Sequence, residues 1–342
     1  MIKIGVICPA EIAYRRFMPA LKQLTGVEYI GIAMYSEEER FEGKQVNADL
    51  KHSIMKNEKE KVSRFIDEYG GKMYYSYQEL VESDEINAIY IPLPPALHHR
   101  WAKRALNHGK HVLVEKPATV NLSQTRELIN LAEEKGLVFH ENYMFIYHNQ
   151  IEEINKLIEA ESIGKVKLYK ISFGFPRRSP NDFRYNRELG GGALLDAGGY
   201  TLKYANFLLG DTAKVICANM NYSDDSDVDI FGTGTLKNAD GTVVQLAFGM
   251  DNYYKCELSA WGSKGELIAG RVLTAPTGYT PTAVLKTEDG ENEIMLSSDD
   301  TFLKSIQEFM DCIESTDRRK QQYRNIIKQA ELVEEFRVKA NE

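Results

Sequence analysis

Five short apolar runs, each followed by a stretch with helical spacing, fill the first 120 residues. They are Lys3–Cys8, Tyr29–Met34, Lys72–Tyr75, Ala88–Pro92 and His111–Glu115. Strands this short with helices between them imply crossover connections, so they lie parallel, with helices on both faces. The pattern predicts an α/β domain built on a doubly wound, mostly parallel sheet. A ligand on such a sheet sits beyond the carboxyl ends of its strands. The charged stretch Glu37–Tyr69 reads as helical with a break, and Leu122–Lys135 as a further helix. Leu137–His140 follows as one more strand of the same sheet.

Beyond the helix expected at Gln150–Ala160 the periodicity changes. Lys165–Gly174, Ala213–Tyr222, Asp229–Leu236, Val243–Phe248, Lys255–Gly262 and Glu266–Arg271 are longer strand patterns, with turn signals such as Asp240-Gly241. Successive strands with few helices between them predict an α+β domain with an open, largely antiparallel sheet. A helix is expected near Gly198–Leu209, and the tail from Thr301 to Ala340 is helical. The division falls just after Pro117: residues 1–120 form the first domain and 121–342 the second.

Charge and composition narrow the function. A formal net charge of −8 argues against a nucleic-acid partner, whose footprint would be basic. An anionic ligand would have to be held by local donors rather than by the overall field. No run of about 18 apolar residues exists to span a membrane. A strand opens at Met1-Ile2-Lys3 without a signal-peptide pattern, so a cytoplasmic location is expected. Cys8, Cys217, Cys256 and Cys312 show no metal-ligand spacing, and reduced thiols with no metal site are expected.

Three clusters carry chemistry. In the first crossover turn, Gly5-Val6-Ile7-Cys8-Pro9-Ala10-Glu11-Ile12-Ala13, the glycine positions of a G-x-G-x-x-G fingerprint are taken by Cys8, Ala10 and Ala13. Small residues still let a backbone approach a pyrophosphate at a helix amino terminus, although a plain strand–helix turn has the same look. The second strand ends Met34-Tyr35-Ser36 without the acid that would bond the ribose diol of NAD. Ser36 with Arg16 (or Arg15) and Arg40 could hold a 2′-phosphate instead, which favours NADP(H) over NAD(H), unless these arginines only solvate a helix face. The second cluster is Pro92-Leu93-Pro94 with Leu97-His98, followed by Glu115-Lys116-Pro117 at the end of the fifth strand. It puts a lysine ammonium beside the cofactor crevice. The third is the glycine-rich turn Gly190–Tyr200, with Asp196 and Tyr200 four residues apart on one helix face. A tyrosine phenol beside a lysine cation can donate a proton to a forming alkoxide. A glycine-rich turn capping a core helix with a buried tyrosine is the plainer alternative.

Together with Gly109–Pro117 and Glu141-Asn142-Tyr143-Met144-Phe145, these stretches resemble the Gfo/Idh/MocA oxidoreductases, which pair a Rossmann domain with an open-sheet domain. Within that family the likeness is to nucleotide-sugar 3-ketoreductases. It is carried by Ile12–Leu21, Asp182-Phe183-Arg184-Tyr185, Phe248-Gly249-Met250-Asp251 and Trp261–Leu267 with Arg271–Pro276. The resemblance implies that Lys116 polarises a carbonyl, Tyr200 donates the proton and Asp196 orients the substrate. It also implies a cofactor lined by Cys8, Pro9, Ala10, Glu11, Ile12, Ser36, Arg16, Arg40, Pro92, Leu93, Pro94, His98, Glu115, Lys116 and Asn142. Where many members have His this chain has Tyr200, which is the pattern of the sugar ketoreductase, glucose–fructose oxidoreductase and dihydrodiol dehydrogenase branches. Cys8, Pro9 and Ala10 depart from the usual glycines, as do Pro95 and Asn149 from the usual Asn and Pro.

The expected reaction is hydride transfer between a nicotinamide and a sugar carbonyl or hydroxyl, most readily reduction of a 3-keto dTDP-deoxysugar. Arg184, Tyr143 and Arg177, with Arg178 beside it, would meet the substrate, Arg184 first among the arginines. A dehydrogenase of free sugars or dihydrodiols would use the same pair, and a non-catalytic NADP-binding regulator would use neither. The family resemblance also implies a homodimer or homotetramer formed through the outer face of the open sheet.

Overall fold

The first sheet is built from β1 (Ile2–Val6), β2 (Val27–Ala33), β3 (Lys72–Tyr74), β4 (Ala88–Ile91), β5 (His111–Glu115) and β6 (Phe139–Asn142). In the computed structural model, which describes residues 1–43, 45–223 and 227–342, the strand order is β3-β2-β1-β4-β5-β6. Every pair is parallel. All four residues of β4 are buried, as are Val112, Leu113 and Val114 of β5, as expected for strands covered on both faces. The order reverses between β1 and β4, so the crevice opens beyond their carboxyl ends. The crossover turn after β1, Pro92–Pro94 after β4 and Lys116 after β5 all lie at that edge. Within the expected Glu37–Tyr69 stretch, helices cover Glu37–Phe41 and Ala48–Tyr69, and Lys44 lies outside the described residues.

The second sheet has eight strands: β7 (Val166–Gly174), β8 (Lys214–Tyr222), β9 (Asp229–Lys237), β10 (Val243–Gly249), β11 (Lys255–Gly262), β12 (Gly265–Gly270), β13 (Thr282–Thr287) and β14 (Gly290–Met295). Their order is β14-β13-β12-β11-β7-β10-β9-β8. Only β7 and β10 pair in parallel; the other neighbours are antiparallel. The β13–β14 hairpin was not anticipated. Alternation along β10 buries Val244, Leu246 and Phe248 against a core that includes Leu202, Tyr204 and Phe336. Among the described residues, no helix is long and apolar enough to cross a membrane.

The chain forms two compact units. One holds Met1–Ala118, Gln124–Asn142 and Ile306–Tyr323, and the other Thr119–Ser123, Tyr143–Ser305 and Arg324–Glu342. This corrects a single division at residue 120. Strand β6 pairs with β5, and the Tyr323 hydroxyl donates to the Leu137 carbonyl. Both ties bring later segments into the first unit.

Candidate active site

In the first unit the crossover turn is closed by Ala10 N–H donating to the Cys8 carbonyl at 2.8 Å, and Tyr14 N–H then bonds the Ala10 carbonyl at 3.1 Å. Amides in the first turn of a helix lack intrahelical acceptors, so those that follow Pro9 and Ala10 are suited to an anion. Burial, reinforced by the Glu58 charge, pushes the Cys8 thiol up to about 12. It is therefore a neutral small residue rather than a nucleophile. Glu11 is largely exposed and pairs with Arg15 and Arg64 at 3.8 and 3.6 Å, while Ile12 is exposed and Arg16 half-buried.

At the end of β2, Ser36 is a helix cap. Its Oγ accepts from Glu39 N–H at 3.2 Å, and Glu39 Oε2 accepts from Ser36 N–H at 2.9 Å, a reciprocal capping box. Arg40 holds its guanidinium 5.6 Å from the centre of the Tyr35 ring.

Leu93 and Pro117, on the loops after β4 and β5, are joined by His98. This ring is fully buried, with Nδ1 2.8 Å from the Pro117 carbonyl and Nε2 2.7 Å from that of Leu93. Burial lowers its pKa to about 4, and the Lys116 charge acts in the same direction. A neutral imidazole has one N–H, so it donates to one of the two carbonyls. His98, expected to line the cofactor, is buried between these two backbone carbonyls and donates to one of them. Glu115 and Asn142 are likewise engaged by neighbouring groups. Glu115 Oε1 accepts from the Tyr90 hydroxyl at 2.6 Å and from Asn142 Nδ2 at 2.7 Å. Burial raises the Glu115 pKa, with Tyr90, Asn142 and Lys116 pulling the other way. This triad ties together the ends of β4, β5 and β6 beside Lys116, which is half-buried at the mouth of β5.

In the second unit, backbone and Asp229 shape the glycine-rich turn. Asp229 Oδ2 accepts from Leu194 N–H at 2.6 Å, and its carbonyl accepts from Ala193 N–H at 2.8 Å. A β-carbon at Gly191 would run into the Arg184 carbonyl, so only glycine lets the two loops pass so closely. Residues Leu194–Gly198 form a π turn and Gly199–Leu209 an α-helix, which presents Tyr200. Its ring is 8% exposed and packs edge-on to Tyr143 and Phe173, with centroids 5.4 and 5.3 Å away. Its hydroxyl meets the Met144 sulfur at 3.8 Å. Tyr143, expected at the substrate, is almost fully buried and supports Tyr200.

Asp196 is the partner of Arg184, whose Nε donates to Oδ2 at 2.6 Å, while Nη1 donates to Asp182 Oδ1 at 3.0 Å. Burial alone would lower the guanidinium pKa, but the two carboxylates together hold it above its ordinary value. Arg184 is thus already held by two carboxylates, whereas it was expected to grip a phosphate. Arg177 is 44% exposed and lies 3.7 Å from Asp251. Sequence reasoning missed Asp229, for which the chain carries no local signal. It also missed Lys203, whose ammonium lies 5.5 Å from the Tyr143 ring centre; its position three residues after Tyr200 could have been noticed. Among the described residues, no group of three His, Cys, Asp or Glu side chains is placed to hold a metal ion.

Comparisons with known proteins follow this division. Residues 27–143 match an oxidoreductase family with an NAD-binding Rossmann fold, and residues 151–268 match the GFO/IDH/MocA C-terminal domain. The dTDP-3,4-didehydro-2,6-dideoxy-alpha-D-glucose 3-reductase of Actinomadura kijaniata is 33% identical over 341 residues, covering 100% of this chain and 96% of that protein. The crystal structure of KijD10, a 3-ketoreductase from Actinomadura kijaniata in complex with NADP and TDP-benzene, superposes with a TM-score of 0.89 at 34% identity. That match covers 98% of this chain and 97% of the other. D-xylose 1-dehydrogenase (NADP(+)) 2 of Haloferax volcanii is 30% identical over 213 residues, 60% of this chain and 64% of that enzyme.

Proposed function

The chain belongs to the Gfo/Idh/MocA family of oxidoreductases, and on that premise we propose that it reduces the 3-keto group of a dTDP-linked deoxysugar with NADPH. The observation that carries this reading is the end-to-end likeness to a dTDP-sugar 3-reductase. The NADP-bound 3-ketoreductase of the same fold supports the cofactor. The donor set fits NADPH. Backbone amides heading the helix after Ala10 suit the pyrophosphate, and the Ser36 hydroxyl with the Arg40 guanidinium suits a 2′-phosphate.

When bound, the dinucleotide supplies a hydride to the ketone carbon. The carbonyl electron pair then moves onto oxygen, where the Lys116 ammonium stabilises it. Tyr200 gives that oxygen its proton and is restored from solvent. Charge placed in advance at a forming alkoxide contributes about 3 kcal/mol. The Glu115–Tyr90–Asn142 triad and His98 hold the backbone on either side of Lys116. Tyr143 and Phe173 hold the Tyr200 ring. Asp196 orients the sugar together with Arg184, and the more exposed Arg177 is assigned to the diphosphate. A cytoplasmic enzyme and a homodimer or homotetramer complete the reading. Exposed Ile216 and Trp261 on the second sheet support the assembly.

Tyr200→Phe should lower turnover by about 100-fold while NADPH binding, followed by cofactor fluorescence, stays intact. Normal turnover would overturn the assigned roles. Titration with dTDP separates this reading from a dehydrogenase of free sugars, which should show no affinity for the nucleotide.

A further inference from the structure

The helix Thr316–Ala340 turns Ile326, Gln329, Leu332 and Phe336 inward, each 2% exposed or less. Spacings of three and four residues make these one helix face, and Gln329 is its polar member. An amide set among apolar side chains lowers stability unless its hydrogen bonds are made. Those of Gln329 are half made. Its Nε2 donates to the Gly199 carbonyl at 2.9 Å, while its Oε1 is buried with no hydrogen-bond partner among the described residues. An unmade bond costs as much as a made one contributes, or more. Stability alone would favour a methionine of similar length here.

What the amide holds is the peptide that joins Gly199 to Tyr200. That unit is planar, so fixing its oxygen fixes the plane from which the Tyr200 α-carbon extends. A carbonyl has two lone pairs and can serve Gln329 as well as its own helix. The preceding peptide is held in a similar way. Thr201 Oγ1, fully buried, donates to the Gly198 carbonyl at 2.8 Å. A β-carbon at Gly198 would meet the Phe248 ring at 3.0 Å, and that ring packs on Phe336 with centroids 5.4 Å apart. One face of the helix therefore reaches the backbone before Tyr200 twice. The ring contact limits how closely the chain approaches, and the hydrogen bond, being directional, sets how the peptide is turned.

We propose that Gln329 is a positioning residue for Tyr200: by holding the Gly199–Tyr200 peptide, its amide sets where the phenol delivers its proton. This rests on the proton-donor role given to Tyr200 above.

The test is steady-state reduction of a 3-keto dTDP-deoxysugar by the full-length protein with NADPH. Gln329→Met keeps the length and removes the donor. It should lower kcat about tenfold and leave KM and NADPH binding, followed by cofactor fluorescence, unchanged. In a Tyr200→Phe background the same substitution should cost nothing further, because no phenol remains to be aimed. Gln329→Asn keeps the amide but ends one methylene short of the carbonyl. It should show the same coupling, so the test stands even where Gln329→Met does not fold. An unchanged kcat in either folded variant overturns the proposal. So does an equal loss in both backgrounds, which marks a merely structural amide; either result leaves the ketoreductase reading standing. Normal turnover by Tyr200→Phe alone overturns the role of Tyr200 and this proposal with it.

Discussion

Gly199 stands where the glycine-rich turn becomes the helix that presents Tyr200, and substituting it tests how tightly that turn is packed. Its backbone is right-handed helical, with φ −56° and ψ −39°, so conformation alone does not demand glycine. A β-carbon there would overlap the Tyr143 hydroxyl, and the ring carbon Cζ would follow at 3.2 Å. Tyr143 is 1% exposed and wedged edge-on against Tyr200 and Phe145, so it yields only by moving Tyr200. Overpacking of this kind costs about 1–3 kcal/mol. Replacing glycine by alanine within a helix returns about 0.5–1 kcal/mol. The clash wins, and Gly199→Ala should lose about 1–2 kcal/mol in denaturant unfolding. Removing the oxygen relieves the contact, so in a Tyr143→Phe background the same substitution should be about neutral. The cycle then shows a coupling of about 1–2 kcal/mol. On the role proposed for Tyr200, a displacement of about 1 Å can cost about 100-fold in rate, so Gly199→Ala should also lose turnover, and the double variant should recover part of it. An equal cost in both backgrounds would refute the packing argument.

Arg184→Met leaves Asp182 and Asp196 without their shared cation and should cost about 2 kcal/mol; an unfolding midpoint equal to that of the unaltered protein would show that the cluster is well solvated. His111 accepts from Val138 N–H at 3.0 Å, and burial, with the Arg319 charge, lowers its pKa to about 4. Between that value and the ordinary value near 6.5 the unfolded chain binds a proton that the folded chain refuses, so stability falls as pH falls. From pH 7 to 5 this amounts to about 2 kcal/mol. His111→Asn should flatten the stability curve by that amount, and parallel curves would show that His111 titrates normally in the fold.

The first sheet was legible because its strands are covered on both faces, which leaves continuous apolar runs such as Ala88–Ile91 in the chain itself. The second sheet was legible as strands but not as an order. β7 sits between β10 and β11, a pairing set by contacts across more than 70 positions rather than by adjacent turns. The β13–β14 hairpin escaped notice because β14 reads Gly-Glu-Asn-Glu-Ile-Met, a charged and mostly exposed strand, although Asp289-Gly290 is a hairpin turn signal.

At the site, the same physics separates what could be read from what could not. Lys116 and Tyr200 stand out because their surroundings in the chain are distinctive: a strand end with proline, and a run of glycines. His98 was noticed as well, but its partners are backbone carbonyls, which every residue carries, so no pattern of side chains could reveal that it is consumed by them. Arg184 has Asp182 two residues away. Its stronger partner, Asp196, reaches it because Gly191 lets one loop pass over another, and that proximity has no linear signature. Glu58 is the extreme case. On a helix as charged as Ala48–Tyr69 a carboxylate reads as solvated, and only the fold shows which face turns inward. Motif reading therefore singles out residues by their neighbours in the chain and cannot show which side chains hold them in place. A carboxylate buried on the inward face of a charged helix, as at Glu58, is the complementary signal, visible only in three dimensions.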